Sequence, residues 1–383
     1  MRLAVLMSLG SPWSRDAAAR LAACGHEVYA IDFSNTRSDS YLNATDAFQA
    51  AEIREFVGSI AGAYWLTSRF SSHLRYFSGA RKLRKTLREL RADLLLTLYG
   101  GGFSTMARVS GFRPYAVYAV GSDVLLGGTL KRISSRVAFT KASEVFVNGQ
   151  HLVETTRSIA PRANLFPLHL GTDVNRFSPG SPSPEPVRVV CTRGFAEIYN
   201  NEFLVRALAK MPALGVAYET IFAAPGPLLD RVRGIADQVL TPERRKWIQF
   251  LGGISKNDLA AVLKSSHVYV SVSRSDGTSS SLMEGLACGL FPVLSDIPAN
   301  REWIFPEAQN GLLVPLGDTS ALAGALARAI KDTQLRSNAS RFNRKLILDF
   351  AADRKNIRIL SNELECLVRG VARNSPQLAR IPE

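Results

Sequence analysis

The chain has 383 residues, of which 46% are hydrophobic and 21% are charged, a composition that is ordinary for a soluble globular protein. Its length is sufficient for two domains of about 150–200 residues each. No run of about 18 apolar residues occurs, which argues against a transmembrane helix, and the apolar start over residues 3–9 is too short for a secretory signal.

Four cysteines are spread along the chain without any C-x-x-C pair. Their wide spacing argues against a structural zinc site and against a disulfide framework, and it is typical of a protein in a reducing compartment. We therefore expect a cytoplasmic location. The cysteines are Cys24, Cys191, Cys288 and Cys366.

The net charge of +14 is unevenly distributed. Residues 64–91 contain eight basic residues and one acidic residue, Glu89, so this segment carries +7, half of the total. Apolar residues are interleaved with the basic ones at roughly helical spacing, which predicts a surface that rests on an anionic membrane. The alternative is an ordinary amphipathic helix with a solvated basic face. No nucleic-acid-binding motif accompanies the charge, so we expect no nucleic-acid partner.

Strand and helix patterns alternate in the first half of the chain. Residues 1–9 read as a strand, residues 16–24 as a helix that Gly25 ends, and residues 27–33 as a second strand. This order predicts a doubly wound α/β sheet. No G-x-G-x-x-G motif occurs, so we expect no dinucleotide cofactor. Residues 35–50 are predicted to be irregular. Further strands are predicted over residues 92–98, 115–120, 144–148 and 165–168.

Residues 179–186 contain four prolines, which is typical of a semi-rigid, exposed linker. A second series of strands and helices follows this segment. The two α/β halves predict two Rossmann-like domains facing a cleft, a place where ligands commonly bind. The strands predicted in the second half cover residues 187–191, 216–222, 248–251, 268–272, 291–294 and 311–314.

Residues 268–296 read as strand, polar loop, helix and strand. The N-terminus of a helix offers unpaired backbone N–H groups and the positive end of the helix dipole, so it suits a phosphate group. Asp276 in the loop and Glu284 in the helix are separated by seven residues, so both can lie beside one anion and bind sugar hydroxyls. The alternative is structural, because Ser281 and Glu284 have the spacing of a capping box.

This stretch resembles the donor-binding segment of the retaining GT-B glycosyltransferases of family 4, also called glycosyl transferases group 1. The family signature is E-x7-E. Here Asp276 takes the place of the first acid, and Glu284 opens the run E-G-L-A-C-G-L-F-P-V, which follows the family pattern. Residues 113–123 and 171–179 also resemble family segments. The resemblance implies a GT-B fold with an N-terminal Rossmann-like domain over 1–178, a linker over 179–186, a donor-side Rossmann-like domain over 187–355 and a C-terminal helix and tail over 356–383 that cross back to the first domain.

The resemblance also implies roles for individual residues. Arg193 would neutralise the donor phosphates and Asp276 would bind the donor sugar, so these two are the expected catalytic residues. Glu284 would bind the ribose. Ser122 and Asp123 follow a predicted strand and are the expected acceptor-binding residues, with loop capping as the alternative for Asp123. The other expected donor-binding residues are Gly10, Ser11, Gly252, Gly253, Ile254, Gly277, Thr278, Ser279, Ser280 and Ser281.

Two residues of the family pattern are missing. The family has a lysine at about the position of Ile198 or Tyr199, and often a histidine where Val120 stands. One cation stabilises a diphosphate leaving group less than two cations do. Either another cation, such as Arg274 or Lys256, replaces the lysine, or the donor differs. No D-x-D motif occurs, so we expect no metal ion and no cofactor other than the nucleotide sugar itself, which is a co-substrate.

The implied function is transfer of a sugar from a nucleotide sugar, UDP-linked ahead of GDP-linked, to a lipid-linked or polysaccharide acceptor, with retention of the anomeric configuration. The basic segment implies that this occurs at the inner face of the cell membrane. Two alternatives remain open. One is a soluble glycosyltransferase that modifies a small molecule or a protein, and the other is a catalytically inactive GT-B binding module. The identities of nucleobase, sugar and acceptor do not follow from the residues.

Overall fold

The computed structural model describes residues 1–33, 47–67 and 74–371. The described chain divides into two units. The first contains Met1–Leu170 and the chain from Arg354 onward, and the second contains Gly171–Asp353. Each unit has its own parallel sheet. Within the described ranges, no helix is long and apolar enough to cross a membrane.

The first unit contains a seven-stranded parallel sheet. Its strands are β1 (Arg2–Met7), β2 (Glu27–Asp32), β3 (Gly62–Trp65), β4 (Leu94–Leu98), β5 (Tyr115–Ala119), β6 (Glu144–Val147) and β7 (Leu165–Pro167). Their order in the sheet is β3-β2-β1-β4-β5-β6-β7. Every residue of β4, β5 and β6 is buried, as expected for strands that are covered by helices on both faces.

Seven helices of the first unit precede the second sheet along the described chain. They are α1 (Pro12–Ala23), α2 (Ala47–Gly58), α3 (Leu74–Glu89), α4 (Gly101–Ser110), α5 (Ser122–Leu125), α6 (Thr129–Lys141) and α7 (His151–Ile159). Leu83, Met106 and Phe139 place α3, α4 and α6 in one core on one face of the sheet. Helix α1 covers the opposite face through Ala18 and Leu21.

The second unit contains a six-stranded parallel sheet with helices on both faces. Its strands are β8 (Val187–Cys191), β9 (Tyr218–Phe222), β10 (Ile248–Phe250), β11 (Val268–Ser271), β12 (Phe291–Ser295) and β13 (Leu312–Val314), in the order β10-β9-β8-β11-β12-β13. Its helices are α8 (Asn201–Ala209), α9 (Leu229–Val239), α10 (Pro242–Arg245), α11 (Lys256–Lys264), α12 (Ser280–Ala287), α13 (Pro298–Arg301), α14 (Thr319–Lys331) and α15 (Thr333–Phe350). Two 3₁₀ turns cover Glu197–Tyr199 and Pro306–Ala308.

The last helix, α16 (Asp353–Arg369), returns to the first unit. Leu360 and Leu364 are fully buried in the core that includes β1. Ser361 Oγ also lies 2.6 Å from Nε2 of the buried His26. The prediction of two Rossmann-like units with a C-terminal helix that crosses back to the first is therefore confirmed.

The division between the units comes at residue 170 rather than at the predicted residue 178. Residues 171–178 belong to the second unit because Arg344 donates to the carbonyl oxygens of Val174 and Phe177, each at 2.8 Å. The proline-rich segment 179–186 also lies within the second unit and is not the junction. There the backbone at Gly180 approaches the carbonyl of Lys264 so closely that a Cβ would be 2.2 Å from its oxygen.

Two sequence predictions in the first unit need correction. Residues 47–50, predicted to be irregular, begin helix α2, whereas residues 35–46 lie outside the described residues. The basic segment 64–91 is not one helix, since it starts in strand β3 and ends two residues after helix α3, with residues 68–73 outside the described ranges. Its apolar residues do not share one face. Leu66 is buried and Tyr76 packs against the core, whereas Phe77 is exposed.

Candidate functional site

The strand order of the second sheet places two predicted site residues side by side. Strands β8 and β11 are parallel neighbours although they are not consecutive along the chain, so the strand order reverses between them. In open α/β sheets, ligands bind at the carboxyl ends of the strands at such a switch point. Arg193 follows β8 and Asp276 follows β11. Both side chains therefore lie where the topology favours a ligand.

Arg193 is the centre of a hydrogen-bonded cluster. Its Nη2 lies 2.6 Å from Oδ2 of Asp276. Its Nη1 donates to the hydroxyl oxygens of Ser279 at 2.5 Å and Ser281 at 3.0 Å. The structure thus joins Arg193 with three other predicted donor-binding residues. The fork of donors in arginine is suited to carboxylates and phosphates, so the same group that holds Asp276 can hold a phosphate.

Three further residues support this cluster, and the sequence did not single them out as site residues. The Tyr199 ring lies 4.2 Å from the Arg193 guanidinium carbon, a cation–π contact. The buried Asn201 side chain donates to the carbonyl oxygens of Arg193 and Gly194, which fixes the loop. Tyr269 donates its hydroxyl to Ser281 Oγ at 3.0 Å. Of these three residues, only Tyr199 had a signal in the sequence, since it stands at about the position where the family has a lysine.

The Arg193 side chain is almost enclosed, with 10% of it exposed, and that of Asp276 is 18% exposed. Burial has the largest influence and would lower the pKa of Arg193. The Asp276 carboxylate, together with Tyr269, Tyr199 and Cys191, outweighs burial and raises that pKa above its ordinary value. A buried charge without a partner is costly, so Asp276 can leave the guanidinium only when another anion replaces it.

Helix α12 begins next to Arg193. Its N-cap is Ser279, whose hydroxyl accepts from the backbone N–H of Leu282 at 3.3 Å. The capping-box alternative for Ser281 and Glu284 is therefore wrong, since Ser281 lies inside the first turn and Glu284 lies beyond it. Glu284 is half-buried. Thr278 and Ser279 are buried and Ser280 is exposed, so both buried and exposed hydroxyl residues lie at the positive end of the helix dipole.

Gly252, Gly253 and Ile254 follow β10, which lies at the edge of the sheet beyond β9 and β8. Gly252 has φ +69°, a conformation that favours glycine. Gly253 lies beside Pro225, and Ile254 packs partly against the core. Gly277, by contrast, is buried in the loop after Asp276. These backbone segments share the carboxyl edge of the sheet with Arg193.

Arg274 lies beside the position of the missing lysine. Its backbone N–H donates to the carbonyl of Ile198 at 2.8 Å, and its guanidinium donates to Oδ1 of Asn200 at 3.1 Å. Lys256 instead begins α11, after the Gly252–Ile254 segment. Of the two cations considered as replacements, Arg274 therefore contacts the segment where the family has its lysine.

A cavity of about 340 Å³ adjoins this segment. Asn200, Asn201 and Arg274 line it and connect it with the Arg193 cluster. Its outer wall carries Arg231, which is ion-paired with Glu197 at 3.2 Å and is mostly exposed. Residues of the E-x7-E stretch do not line it, so the cavity lies beside the predicted donor site.

The predicted site residues of the first unit have surroundings that differ from those of the Arg193 cluster. Gly10 and Ser11 form the turn between β1 and α1, and Ser11 is the N-cap of α1 without a side-chain hydrogen bond to the helix. Asp123 is only 3% exposed, and its carboxylate accepts from the backbone N–H groups of Gly100, Val120 and Gly121. Burial raises its pKa. These contacts favour the loop-capping alternative for Asp123, whereas Ser122 is exposed.

Residues 172–346 match the model of the family described as Glycosyl transferases group 1. This part of the chain is therefore similar to that family. The matched residues include the whole Arg193 cluster and both acids of the signature. Over 191 residues the chain is 26% identical to WcaL of Salmonella typhimurium, a protein named for a glycosyltransferase role in colanic acid biosynthesis. The match covers 47% of this chain and 46% of WcaL, so the chain spans about half the length of this curated relative.

Solved structures share the fold over nearly the whole chain. Sucrose-phosphate synthase from Thermosynechococcus elongatus superimposes with a TM-score of 0.78 at 15% identity, covering 97% of this chain and all of that protein. HepE of Anabaena in complex with UDP gives a TM-score of 0.77 at 16% identity, covering 95% of this chain and all of HepE. At these identities the likeness establishes the GT-B fold alone.

Proposed function

We propose that this protein is a glycosyltransferase that moves a sugar from a nucleotide sugar to a glycan or lipid-linked acceptor. The observation that carries the proposal is the Arg193 cluster, where one guanidinium contacts Asp276 and the first turn of α12 at the switch point of the sheet. This arrangement concentrates positive potential at one point beside a carboxylate. A donor with a diphosphate next to a polyhydroxylated ring matches both features.

The chemistry follows from an exchange of partners at Arg193. The donor diphosphate takes the place of Asp276 on the guanidinium, and the released carboxylate becomes available to hydroxyls of the donor sugar. As the bond between the anomeric carbon and the phosphate oxygen breaks, its electron pair stays on the diphosphate, which Arg193 and the N-terminus of α12 stabilise. The acceptor oxygen forms the new bond from the face that the diphosphate leaves, and its proton passes to the departing phosphate. This route gives retention without an enzymatic nucleophile.

The other donor contacts are proposals of the same kind. Glu284 would accept hydrogen bonds from the ribose hydroxyls, and the backbone at Gly252–Ile254 would lie against the nucleobase. Gly10 and Ser11 remain predictions. HepE, which shares the fold, has been solved with UDP-glucose, which supports UDP ahead of GDP as the carrier. We propose Arg274 as the second cation for the diphosphate, because its hydrogen bonds hold it against the 198–200 segment.

A polysaccharide or a lipid-linked glycan is the proposed acceptor, supported by the colanic acid role for which WcaL is named. The basic segment 64–91 would hold the protein at the anionic inner face of the membrane. A soluble transferase acting on a small molecule or a protein would use the same donor residues.

One observation favours a different class of function. Tyr199 covers one side of Arg193 where the family has a cation, so the leaving group has less positive charge nearby than in the family pattern. A catalytically inactive module that binds a nucleotide or a glycan would tolerate this change. Such a module would bind a donor without turning it over in the presence of any acceptor.

The deciding experiment is a calorimetric titration of UDP, GDP and ADP into the wild-type protein and Glu284→Ala. We expect one nucleotide to bind and the substitution to weaken binding by about 1–3 kcal/mol, the cost of a lost charged hydrogen bond. Arg274→Ala and Lys256→Ala in the same titration separate the two cations, and only the first should weaken binding. If none of the three nucleotides binds the wild type, the assignment of the donor site is rejected.

A further inference from the structure

Helix α6 (Thr129–Lys141) carries an apolar stripe on its outer face. Leu130, Ile133 and Val137 are 75%, 55% and 49% exposed and recur at helical spacing, so they lie in one row along the helix. The opposite face of α6 packs into the core through Ala138 and Phe139, which are fully buried. Helix α6 therefore has two apolar faces, one packed into the core and one exposed. An exposed apolar face of this kind marks an interaction site.

The stripe is part of a larger surface formed by three neighbouring helices. Helix α4 packs closely against α3, since a Cβ at Gly102 would meet the Tyr76 ring. It also lies close to α6, since a Cβ at Gly100 would be 2.7 Å from the Phe139 ring. The outward faces of α3, α4 and α6 are thus continuous, and we call this surface the three-helix face. Further exposed apolar residues on its helices and loops are Phe77, Val109 and Leu126.

The charge on this surface is almost entirely positive. Residues 74–91 and 101–143 together contain thirteen basic residues and two acidic ones, Glu89 and Asp123. Asp123 is buried, and Glu89 lies 3.7 Å from Lys85 as a helical ion pair. Beside the apolar stripe, α6 exposes Arg132 and Arg136 along one side. Rows of apolar and basic side chains on one helix are characteristic of elements that lie in the headgroup region of an anionic bilayer.

We propose that α6 inserts Leu130, Ile133 and Val137 into an anionic lipid bilayer, while the cations of α3 and α6 bind the lipid headgroups. The occupant is a membrane because the surface combines a narrow apolar stripe with cations spread over three helices, whereas a protein partner would need a matching acidic patch. In this arrangement the sequence segment 64–91 supplies charge, and the inserting residues come from a helix outside that segment.

The position of α6 connects the membrane surface with the acceptor candidates. Lys131 Nζ donates to the carbonyl oxygen of Leu126 at 2.6 Å and to that of Ser122 at 3.2 Å. The start of α6 is thereby tied to the loop that carries Ser122. A docked α6 would hold this loop near the headgroups, where the sugar-bearing end of a lipid-linked acceptor lies. This last step rests on the proposed function, whereas the membrane binding of α6 does not.

The test is co-sedimentation of the full chain with vesicles of phosphatidylcholine and phosphatidylglycerol, compared with vesicles of phosphatidylcholine alone. The variant combines Leu130→Ser, Ile133→Ser and Val137→Ser. We expect the wild type to bind the anionic vesicles and the variant to bind them at least about tenfold more weakly. The matched control combines Leu316→Ser and Leu348→Ser, which remove exposed apolar residues of the second unit and should leave sedimentation unchanged.

Two further readouts make the outcome decisive. A variant with Arg132→Gln and Arg136→Gln should lose the preference for anionic vesicles and the salt sensitivity of binding. UDP titration into the triple-serine variant should match the wild type, so loss of vesicle binding with intact nucleotide binding supports the proposal independently of the transfer reaction. Equal sedimentation of variant and wild type overturns it. A dimer in size-exclusion chromatography that the serine substitutions convert to monomer also overturns it, because the stripe is then an interface between copies.

Discussion

Asp123 and Asp276 look alike in the sequence and differ in the structure. Each follows a buried parallel strand by a few residues, at the edge of a sheet where ligands bind. Asp123 is 3% exposed, and its carboxylate accepts hydrogen bonds from three backbone N–H groups. Asp276 contacts the side chain of Arg193 and keeps 18% of its own side chain exposed.

The difference lies in the kind of partner. Backbone N–H groups cannot move away, so Asp123 is fixed for as long as the loop is folded. A guanidinium on a long side chain can exchange one anion for another, so the Asp276–Arg193 pair can open for a phosphate. A carboxylate at a strand end is therefore a structural part of the fold in one unit and a candidate ligand group in the other.

The sharpest test of this comparison is Asp276→Ala, for which we expect the largest effect. If Asp276 binds the donor sugar in the transition state, the rate of UDP release from a UDP-sugar should fall about 10²–10³-fold, or about 3–4 kcal/mol in the barrier. Calorimetric binding of UDP should change much less, because the carboxylate contacts the sugar. The matched control is Asp276→Glu, which restores the acid of the family signature and should retain activity. Equal rates for Asp276→Ala and wild type would exclude the catalytic role.

Asp123→Ala should show the opposite pattern. Removing the carboxylate leaves buried N–H groups at Gly100, Val120 and Gly121 without an acceptor, so we expect the free energy of unfolding to fall by about 2–4 kcal/mol in urea titrations. UDP binding by the folded protein should not change. Asp230→Ala is the control, because the Asp230 side chain is 94% exposed and its removal should cost less than about 0.5 kcal/mol. A variant of normal stability with impaired transfer would restore Asp123 as an acceptor ligand.

Much of the fold could be predicted from the sequence. The strands of both sheets are short β-branched or aliphatic runs, and most were predicted close to their observed bounds. Strand β3 was missed because it has four residues, one of them glycine, and runs into the basic segment. Helix α2 was missed because its apolar residues follow polar sequence that gives no start signal.

The site was predicted in part, and mainly through the family resemblance. The Asp276–Glu284 spacing pointed to the loop and to α12. The hydrogen bonds of Arg193 to Asp276 and Ser279 join residues more than 80 positions apart, and no local pattern encodes such a contact. The exposed stripe of helix α6 was not predicted, since sequence periodicity does not tell which of two apolar faces packs inward.

Asp32, at the end of β2, is a third carboxylate at the end of a strand. Fewer backbone N–H groups donate to it than to Asp123. It is 2% exposed, and its Oδ2 accepts from the backbone N–H of Leu9 at 3.3 Å. Burial raises the pKa of Asp32 to about 6, and the hydrogen bond from Leu9 opposes this only in part. Because the folded-state pKa lies above the ordinary value of 3.8, folding favours the protonated acid. The fold is therefore destabilised as the pH rises from about 4 to about 6, and the full cost of the charge is present above that range.

We expect Asp32→Asn to be more stable than the wild type by about 1–3 kcal/mol at pH 7.5, since the amide oxygen keeps the hydrogen bond from Leu9 without the buried charge. At pH 4 the two proteins should have nearly equal free energies of unfolding, measured by urea titration at both pH values. Asp93→Asn is the control, because Asp93 also accepts from a backbone N–H but is exposed. A loss of stability at pH 7.5 would mean that the Asp32 charge is compensated by groups other than Leu9, and would place this carboxylate with Asp123 as a fixed part of the fold.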